Sequence, residues 1–256
     1  MLALRSLLFN AAFYANLIVW LLAALPLLVA PRMGLMRVAQ AWAHSNLWLL
    51  RTIAGTKVDI RGLEHIPSGG LLVAAKHQSL WETFALATLF DDPTFVLKRE
   101  LMWIPMFGWF LWKADMVPID RRAGSNALRE MTRRARDEVA RGRQLLIFPE
   151  GTRRPPGAAP AYKYGIVHLY ETLGVPCLPV ALNSGLFWPR RSFIRRPGTI
   201  LVEILEPIPP ALPRDEFFRA VTQQIEAASS RLLAEAAAHI GTGAAAHSSK
   251  SDRSVA

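Results

Sequence analysis

Cysteine is nearly absent: Cys177 is the only one in 256 residues. A lone thiol closes no intrachain disulfide and builds no cysteine-based metal cluster, and nothing in the sequence points to an oxidising compartment. His65 and His168 have no partner at ligand spacing, so no metal is expected. The G-x-S-x-G pattern is missing, which argues against a serine-hydrolase triad. Acid is scarce: 20 Asp and Glu stand against 30 Lys and Arg, a net charge of +10. Such a chain favours anionic partners. With no recognised DNA- or RNA-binding motif, nucleic acid is not expected among them. Long apolar runs are too few for a polytopic membrane protein. Hydrophobic residues nonetheless reach 52%, which excludes a wholly disordered chain.

The first segment contains the main apolar run. No residue between Arg5 and Arg32 is charged, and Leu7 to Ala30 is 24 residues. As a helix that is about 36 Å against about 30 Å of hydrocarbon, enough to span with tilt. Pro26 interrupts it, as membrane helices tolerate. Met33 to Leu50 is apolar but carries Arg37 and His44 among Trp42 and Trp48, the pattern of an interfacial amphipathic helix. Two arrangements fit: a hairpin within one leaflet, or one span followed by an in-plane helix. A cleaved signal peptide is disfavoured by the long apolar core and by the lack of an A-x-A site. Residues 1–52 are therefore expected to form a membrane anchor. Arg5 on one side against Arg32 and Arg37 on the other puts the domain after the anchor in the cytoplasm.

From Thr56 short apolar runs alternate with helical stretches. Expected strands are Lys57–Arg61, Leu71–Lys76, Thr94–Leu97, Met116–Ile119, Gln144–Phe148, Cys177–Leu182 and Ile200–Leu205. Expected helices are Ser79–Phe90, Ser125–Arg141, Tyr162–Leu173 and Asp215–His239. The fold class is α/β: a mixed, mostly parallel sheet flanked by helices over residues 53–240, preceded by the membrane-associated helical segment. Residues 241–256, rich in Gly, Ala and Ser, are expected to be a disordered tail. No internal repeat is present.

Two constellations carry chemistry. The first is Lys76-His77-Gln78-Ser79-Leu80-Trp81-Glu82, at a predicted strand end and helix start. Open α/β sheets place their sites at strand carboxyl ends, and histidine is the usual general base near neutral pH. A carboxylate on one ring nitrogen fixes the tautomer and leaves the other nitrogen to take a proton. On one continuous helix, residues five apart point about 140° away from each other. His77 and Glu82 therefore meet only if His77 precedes the helix and Glu82 lies in its first turn. The same residues also spell a capping box, Ser79 as N-cap with Glu82 three residues on, and that role needs no histidine. The second constellation is Phe148-Pro149-Glu150-Gly151-Thr152-Arg153-Arg154, directly after a strand. A turn there exposes N–H groups, a carboxylate, a hydroxyl and a guanidinium, and arginine suits bidentate phosphate recognition. A plain Pro-Gly turn with solvated arginines fits equally.

Together the two blocks resemble those of the glycerolipid acyltransferase family, in particular the 1-acyl-sn-glycerol-3-phosphate (lysophosphatidate) acyltransferases. That family carries a His, four residues and an acid, then F-P-E-G-T-R; here these are His77…Glu82 and Phe148–Arg153. Lys98-Arg99-Glu100-Leu101 with Ile104-Pro105 and Gly108, Pro118-Ile119-Asp120-Arg121, and Val175–Ala181 are similar too, so the resemblance runs from Thr56 to Pro209. Glu82 stands where the family usually has Asp. Acyltransferases that finish lipid A use either acid, and the intact Phe148–Arg153 block argues against them.

The resemblance implies direct acyl transfer from a thioester to a lipid hydroxyl, with His77 as base and Glu82 orienting it. It implies that Glu150, Gly151, Thr152 and Arg153 hold glycerol phosphate. Lys98 and Arg121 are candidates for further phosphate charge; Arg121 paired with Asp120, and Lys98 as a surface residue, fit as well. No cofactor is implied, since acyl-CoA or acyl-acyl carrier protein is a co-substrate. Expected partners are membrane lipid and that donor, and the expected location is the inner (cytoplasmic) membrane with the catalytic domain facing the cytoplasm. Lyso-ornithine lipid or another lysolipid is the alternative acceptor. Outside catalysis, the alternative is a membrane-anchored basic binding protein. Cys177, in an apolar strand, is expected to be inert core. Oligomeric state is left open.

Overall fold

A computed structural model describes the backbone of residues 1–120 and 124–251 and the side chains of 1–120 and 128–238. Helices α1 (Leu2–Ala23) and α2 (Arg32–Leu49) form a hairpin. Pro26 lacks a backbone donor, so α1 gives way to a 3₁₀ turn, Leu25–Leu28, and Pro31 leads into α2. The apolar run from Leu7 to Ala30 is thus a helix and the hairpin's bend. Asn16 Nδ2 donates to Ser45 Oγ across the pair at 2.8 Å. After a π-helical turn, Leu50–Ala54, Gly55 at φ 76 redirects the chain into the sheet. A side chain at Gly55 would meet the Arg5 guanidinium at 2.8 Å.

The strands are β1 (Thr56–Arg61), β2 (Leu71–Ala75), β3 (Pro93–Lys98), β4 (Val117–Ile119), β5 (Gln144–Ile147), β6 (Cys177–Leu182) and β7 (Gly198–Ile204). They form one seven-stranded sheet in the order β1-β7-β6-β2-β5-β3-β4. From β6 to β4 all neighbours are parallel; β7 runs antiparallel to β6 and pairs with β1 in parallel. The expected mixed, mostly parallel sheet is what forms. The remaining helices are α3 (Glu82–Ala85), α4 (Phe107–Lys113), α5 (Gly124–Ala140), α6 (Gly165–Leu173) and α7 (Arg214–Ser251).

Strand alternation sends successive side chains to opposite faces, and the core divides accordingly. Leu71, Val73, Ala75, Leu146, Val180 and Val202 pack with Phe9, Phe13, Leu50, Trp81 and Phe84. The N-terminal hairpin therefore shares the core of this first face with α3. Leu72, Ala74 and Leu145 pack with Met131, Ile166 and Phe217, so α5, α6 and α7 cover the second face. Phe110 of α4 and Ala114 just after it join Ala24, Leu35 and Met36 at the hairpin's bend.

The hairpin is also tied electrostatically. Arg32 grips both oxygens of Asp92 at 2.6 and 2.5 Å. Arg143, 1% exposed, contacts Asp92 and Glu138 and donates to the carbonyls of Pro93, Ala114 and Asp115. Burial works to raise the Asp92 pKa, but Arg32 and Arg143 outweigh it and hold the carboxyl below its ordinary value.

Two elements differ from the sequence expectation. The helix predicted over Ser79–Phe90 is a single turn, α3, followed by a 3₁₀ turn, Leu86–Leu89. Thr83 and Thr88 donate to carbonyls three residues back, offering the backbone a competing geometry. α7 runs on past Gly241, where a disordered tail was expected, because an alanine-rich surround carries helix across a glycine. Residues 252–256 lie outside the described residues.

Candidate active site

β2 and β5 are parallel neighbours, and the chain leaves them for opposite faces: from β2 to α3 on the first, from β5 to α6 on the second. Such a divergence opens a crevice at the strands' carboxyl ends, the usual site position in open α/β sheets. His77 follows β2 and Phe148 follows β5, so both sequence constellations arrive at this crevice from adjacent strands.

Alternation continues past the strand ends. Phe148 packs with the first-face cluster and stacks on the His77 imidazole, with ring centroids 4.1 Å apart and planes 15° from parallel. The His77 side chain is 12% exposed, which leaves an opening to solvent. Nδ1 lies 3.0 Å from Glu82 Oε1. A carboxylate accepts only, so Nδ1 carries the hydrogen and Nε2 keeps its lone pair.

Glu82 is fully buried and engaged on both oxygens. Oε1 also accepts the N–H groups of Gln78 and Ser79, each at 2.6 Å, and Oε2 accepts from Ser184 Oγ at 2.7 Å. Glu82, the first residue of α3, thus holds the loop before the helix and orients the histidine in one arrangement, and the expected capping box does not form. Ser79 is not the N-cap; its hydroxyl accepts from the Trp81 N–H at 3.1 Å.

Glu150 is turned inward rather than toward a ligand. Oε1 pairs with Lys76 Nζ at 2.9 Å and Oε2 accepts the His77 backbone N–H at 3.0 Å. The Lys76 side chain is only 3% exposed and also pairs with Glu226 on α7 at 2.5 Å; Tyr162 OH donates to the same Glu226 oxygen. Burial, then the Glu226 charge, pushes the Tyr162 phenol up, so it stays a donor. The glycerol phosphate role expected for Glu150 is at odds with this placement, because both oxygens brace the histidine loop from below.

The turn continues with Gly151 at φ 68, whose N–H bonds Phe148 O at 2.9 Å. Thr152 is exposed, and the Arg153 guanidinium has no hydrogen-bond partner among the described residues. The chain then returns: Arg154 N–H bonds His77 O at 2.8 Å, so Arg153 lies one residue from contact with the histidine backbone. Lys98 is exposed at the carboxyl end of β3. Arg121 lies outside the described residues. Cys177 is wholly buried, and burial pushes its thiol well up, away from the thiolate. His65 bonds Ile204 O and Glu206 and plays no part here. Among the described residues no three His, Cys, Asp or Glu are grouped to hold a metal.

Sequence reasoning missed Ser184, Lys76, Glu226 and the stacking role of Phe148. Lys76 and Phe148 stood inside the two motifs without a role. Gln78 was also passed over: its Oε1 accepts the Gly185 N–H at 3.0 Å, and its buried Nε2 has no partner.

Comparison with known proteins gives a consistent family. A family model described as Acyltransferase matches residues 57–183. A 1-acyl-sn-glycerol-3-phosphate acyltransferase of Pseudomonas aeruginosa is 38% identical over 206 residues, 79% of each chain. The enzyme of that name from Cocos nucifera is 31% identical over 193 residues, 75% of this chain and 62% of its own. The crystal structure of the 1-acyl-sn-glycerophosphate acyltransferase PlsC from Thermotoga maritima is similar in fold, with TM-score 0.77 and 24% identity, over 91% of this chain and 98% of that one.

Proposed function

The chain belongs to the acyltransferase family, and from that premise we propose that it transfers a fatty acyl group from a thioester to the sn-2 hydroxyl of lysophosphatidate, making phosphatidate. The observation that carries the reading is the His77–Glu82 bond at the β2/β5 crevice, which leaves Nε2 as a base. The acceptor hydroxyl gives its proton to Nε2 as its oxygen attacks the thioester carbonyl. Glu82 stabilises the imidazolium so formed. The tetrahedral intermediate collapses, the C–S bond breaks, and the thiolate recovers the proton from His77. The oxygen–acyl bond that forms replaces the sulfur–acyl bond that breaks, and no nucleophilic residue or cofactor enters the scheme.

The donor is acyl-CoA or acyl-acyl carrier protein. Arg153 holds the acceptor's phosphate monoester, with Lys98 adding charge from the carboxyl end of β3 and Arg121 a further candidate for phosphate charge. Gly151 gives the turn its left-handed backbone, and Thr152 is an exposed hydroxyl beside Arg153. The lipid acceptor reaches the site from a membrane. α1 meets the length and hydropathy of a span, yet it buries Ser6, Phe9 and Phe13 against the rest of the chain. A helix committed to the domain along one side inserts in one leaflet from the cytoplasmic face of the inner membrane.

The test is an acyl-transfer assay with lysophosphatidate and long-chain acyl-CoA or acyl-acyl carrier protein, following thiol release and phosphatidate together. Wild type shows acceptor-dependent release, and His77→Ala lowers kcat by about 10²–10⁴-fold. Arg153→Ala raises the lysophosphatidate KM while leaving turnover of a phosphate-free lysolipid alone. Wild type inert with every donor and acceptor points instead to a basic binding protein. A preference for lyso-ornithine lipid that ignores Arg153 overturns the acceptor.

A further inference from the structure

Exposed large apolar side chains are distributed unevenly. Among the described residues, most lie on the α1–α2 hairpin, on residues 103–112, and at Phe193; the helical segments of α5, α6 and α7 contribute none. The second group is compact. Trp103 is 74% exposed, Ile104 44%, Trp109 54% and Trp112 74%. Trp109 and Trp112 are three residues apart on α4 and so share one side of it. The opposite side of α4, with Phe110 and the C-cap Ala114, packs against Ala24, Leu35 and Met36. The bend that α4 packs against itself exposes Leu22, Leu25, Val29 and Met33, so α4 and the bend together present apolar side chains outward.

The patch is held in shape. Met106 adopts φ 61, and Gly108 N–H bonds Ile104 O at 2.7 Å. A side chain at Gly108 would lie 2.1 Å from the Met102 carbonyl oxygen, so only glycine lets the Trp103–Pro105 loop close this tightly over α4. Backbone strain of that kind persists where the surroundings impose it. The segment leaves β3 at the same sheet end as His77.

We propose that Trp103, Ile104, Trp109 and Trp112 form a second lipid contact, which with α1 seats the molecule in the surface of an anionic leaflet beside the catalytic crevice. Indole joins an apolar body to a polar N–H and prefers the membrane–water boundary. The charges agree with an anionic lipid surface. No Asp or Glu precedes Asp59, while Arg5, Arg37, Arg51 and Lys57 do, and residues 98–113 add Lys98 and Lys113 against Glu100; Arg32 and Arg99 are already paired with Asp92 and Asp120. The proposal rests on the lipid-acyltransferase reading only for the presence of a membrane.

Two variants test it. In Trp103→Phe/Trp109→Phe/Trp112→Phe the fluorophores go and the apolar surface stays; in the triple Ser variant the surface goes too. Both are mixed with vesicles of phosphatidylglycerol and phosphatidylcholine with brominated acyl chains. Wild-type fluorescence is quenched, the Phe variant loses much of that quenching while still binding, and the Ser variant partitions about ten- to a hundredfold less. Activity of the Ser variant on acceptor dispersed in detergent stays at the wild-type level, which separates this contact from the catalytic reading. Unchanged quenching in the Phe variant, or unchanged partitioning of the Ser variant, overturns the proposal. So does a wild-type dimer in sedimentation that the Ser variant turns into monomer, which would make the patch a contact between copies.

Discussion

Glu82 lies in the segment after β2 and Glu150 in the turn after β5, and each spends both carboxylate oxygens inside the protein. Glu82 takes the His77 ring, two backbone N–H groups and Ser184. Glu150 takes the His77 backbone N–H and Lys76. The difference lies in where each finds a cation. Glu150 has a permanent one in Lys76, shared with Glu226. Glu82 has no Lys or Arg beside it among the described residues; neutral donors hold it, and in the mechanism we propose its cation is the imidazolium of His77. A carboxylate neutralised in advance supports geometry, whereas one whose cation appears during the reaction supports the transition state.

Neutralising each glutamate separates these roles. Glu82→Gln keeps shape and most hydrogen bonds but removes the charge facing the imidazolium. The expected loss is about 10³–10⁴-fold in kcat, with KM and Tm near wild type. A loss within about tenfold in steady-state turnover would reduce Glu82 to a brace of the loop before α3 and end the contrast. Glu150→Gln leaves Lys76 with Glu226 alone. Breaking a buried pair costs about 3–5 kcal/mol, and the surviving partner puts this variant at the lower end, read as a drop in Tm with a smaller fall in kcat. If instead the acceptor KM rises and Tm holds, Glu150 touches substrate as the family resemblance implied.

Much of this site was legible in the sequence. His77 and Glu82 fit an acid–base pair only with a strand before and a helix after, and that local pattern is present. The F-P-E-G-T-R block marked the neighbouring strand end. What was not legible was direction. A turn sequence names its side chains without saying which face inward, so Glu150 was placed with the substrate. Ser184 meets Glu82 across 102 residues and Glu226 meets Lys76 across 150, and no spacing rule reaches that far. The N-terminal helix shows the same limit. A hydropathy window counts Phe9 and Leu8 alike, yet Phe9 is buried in the core and Leu8 faces outward.

Ser184→Ala sharpens the contrast with the smallest change. The hydroxyl is Glu82 Oε2's hydrogen-bond donor, while Oε1 keeps three. Losing it leaves a buried acceptor unsatisfied at a cost of about 1–3 kcal/mol. Part of that cost reaches the reaction, because an under-held carboxylate can rotate away from Nδ1 and release the tautomer. The expected outcome is about a tenfold lower kcat, an unchanged acceptor KM, and a Tm lowered by less than in Glu150→Gln. Equal falls in Tm for the two variants, with kcat intact in both, would mean that both glutamates serve stability alone. A fall in kcat confined to Ser184→Ala and Glu82→Gln would place the working hydrogen bonds on the loop after β2, and leave the loop after β5 to hold the histidine's backbone and the acceptor's phosphate.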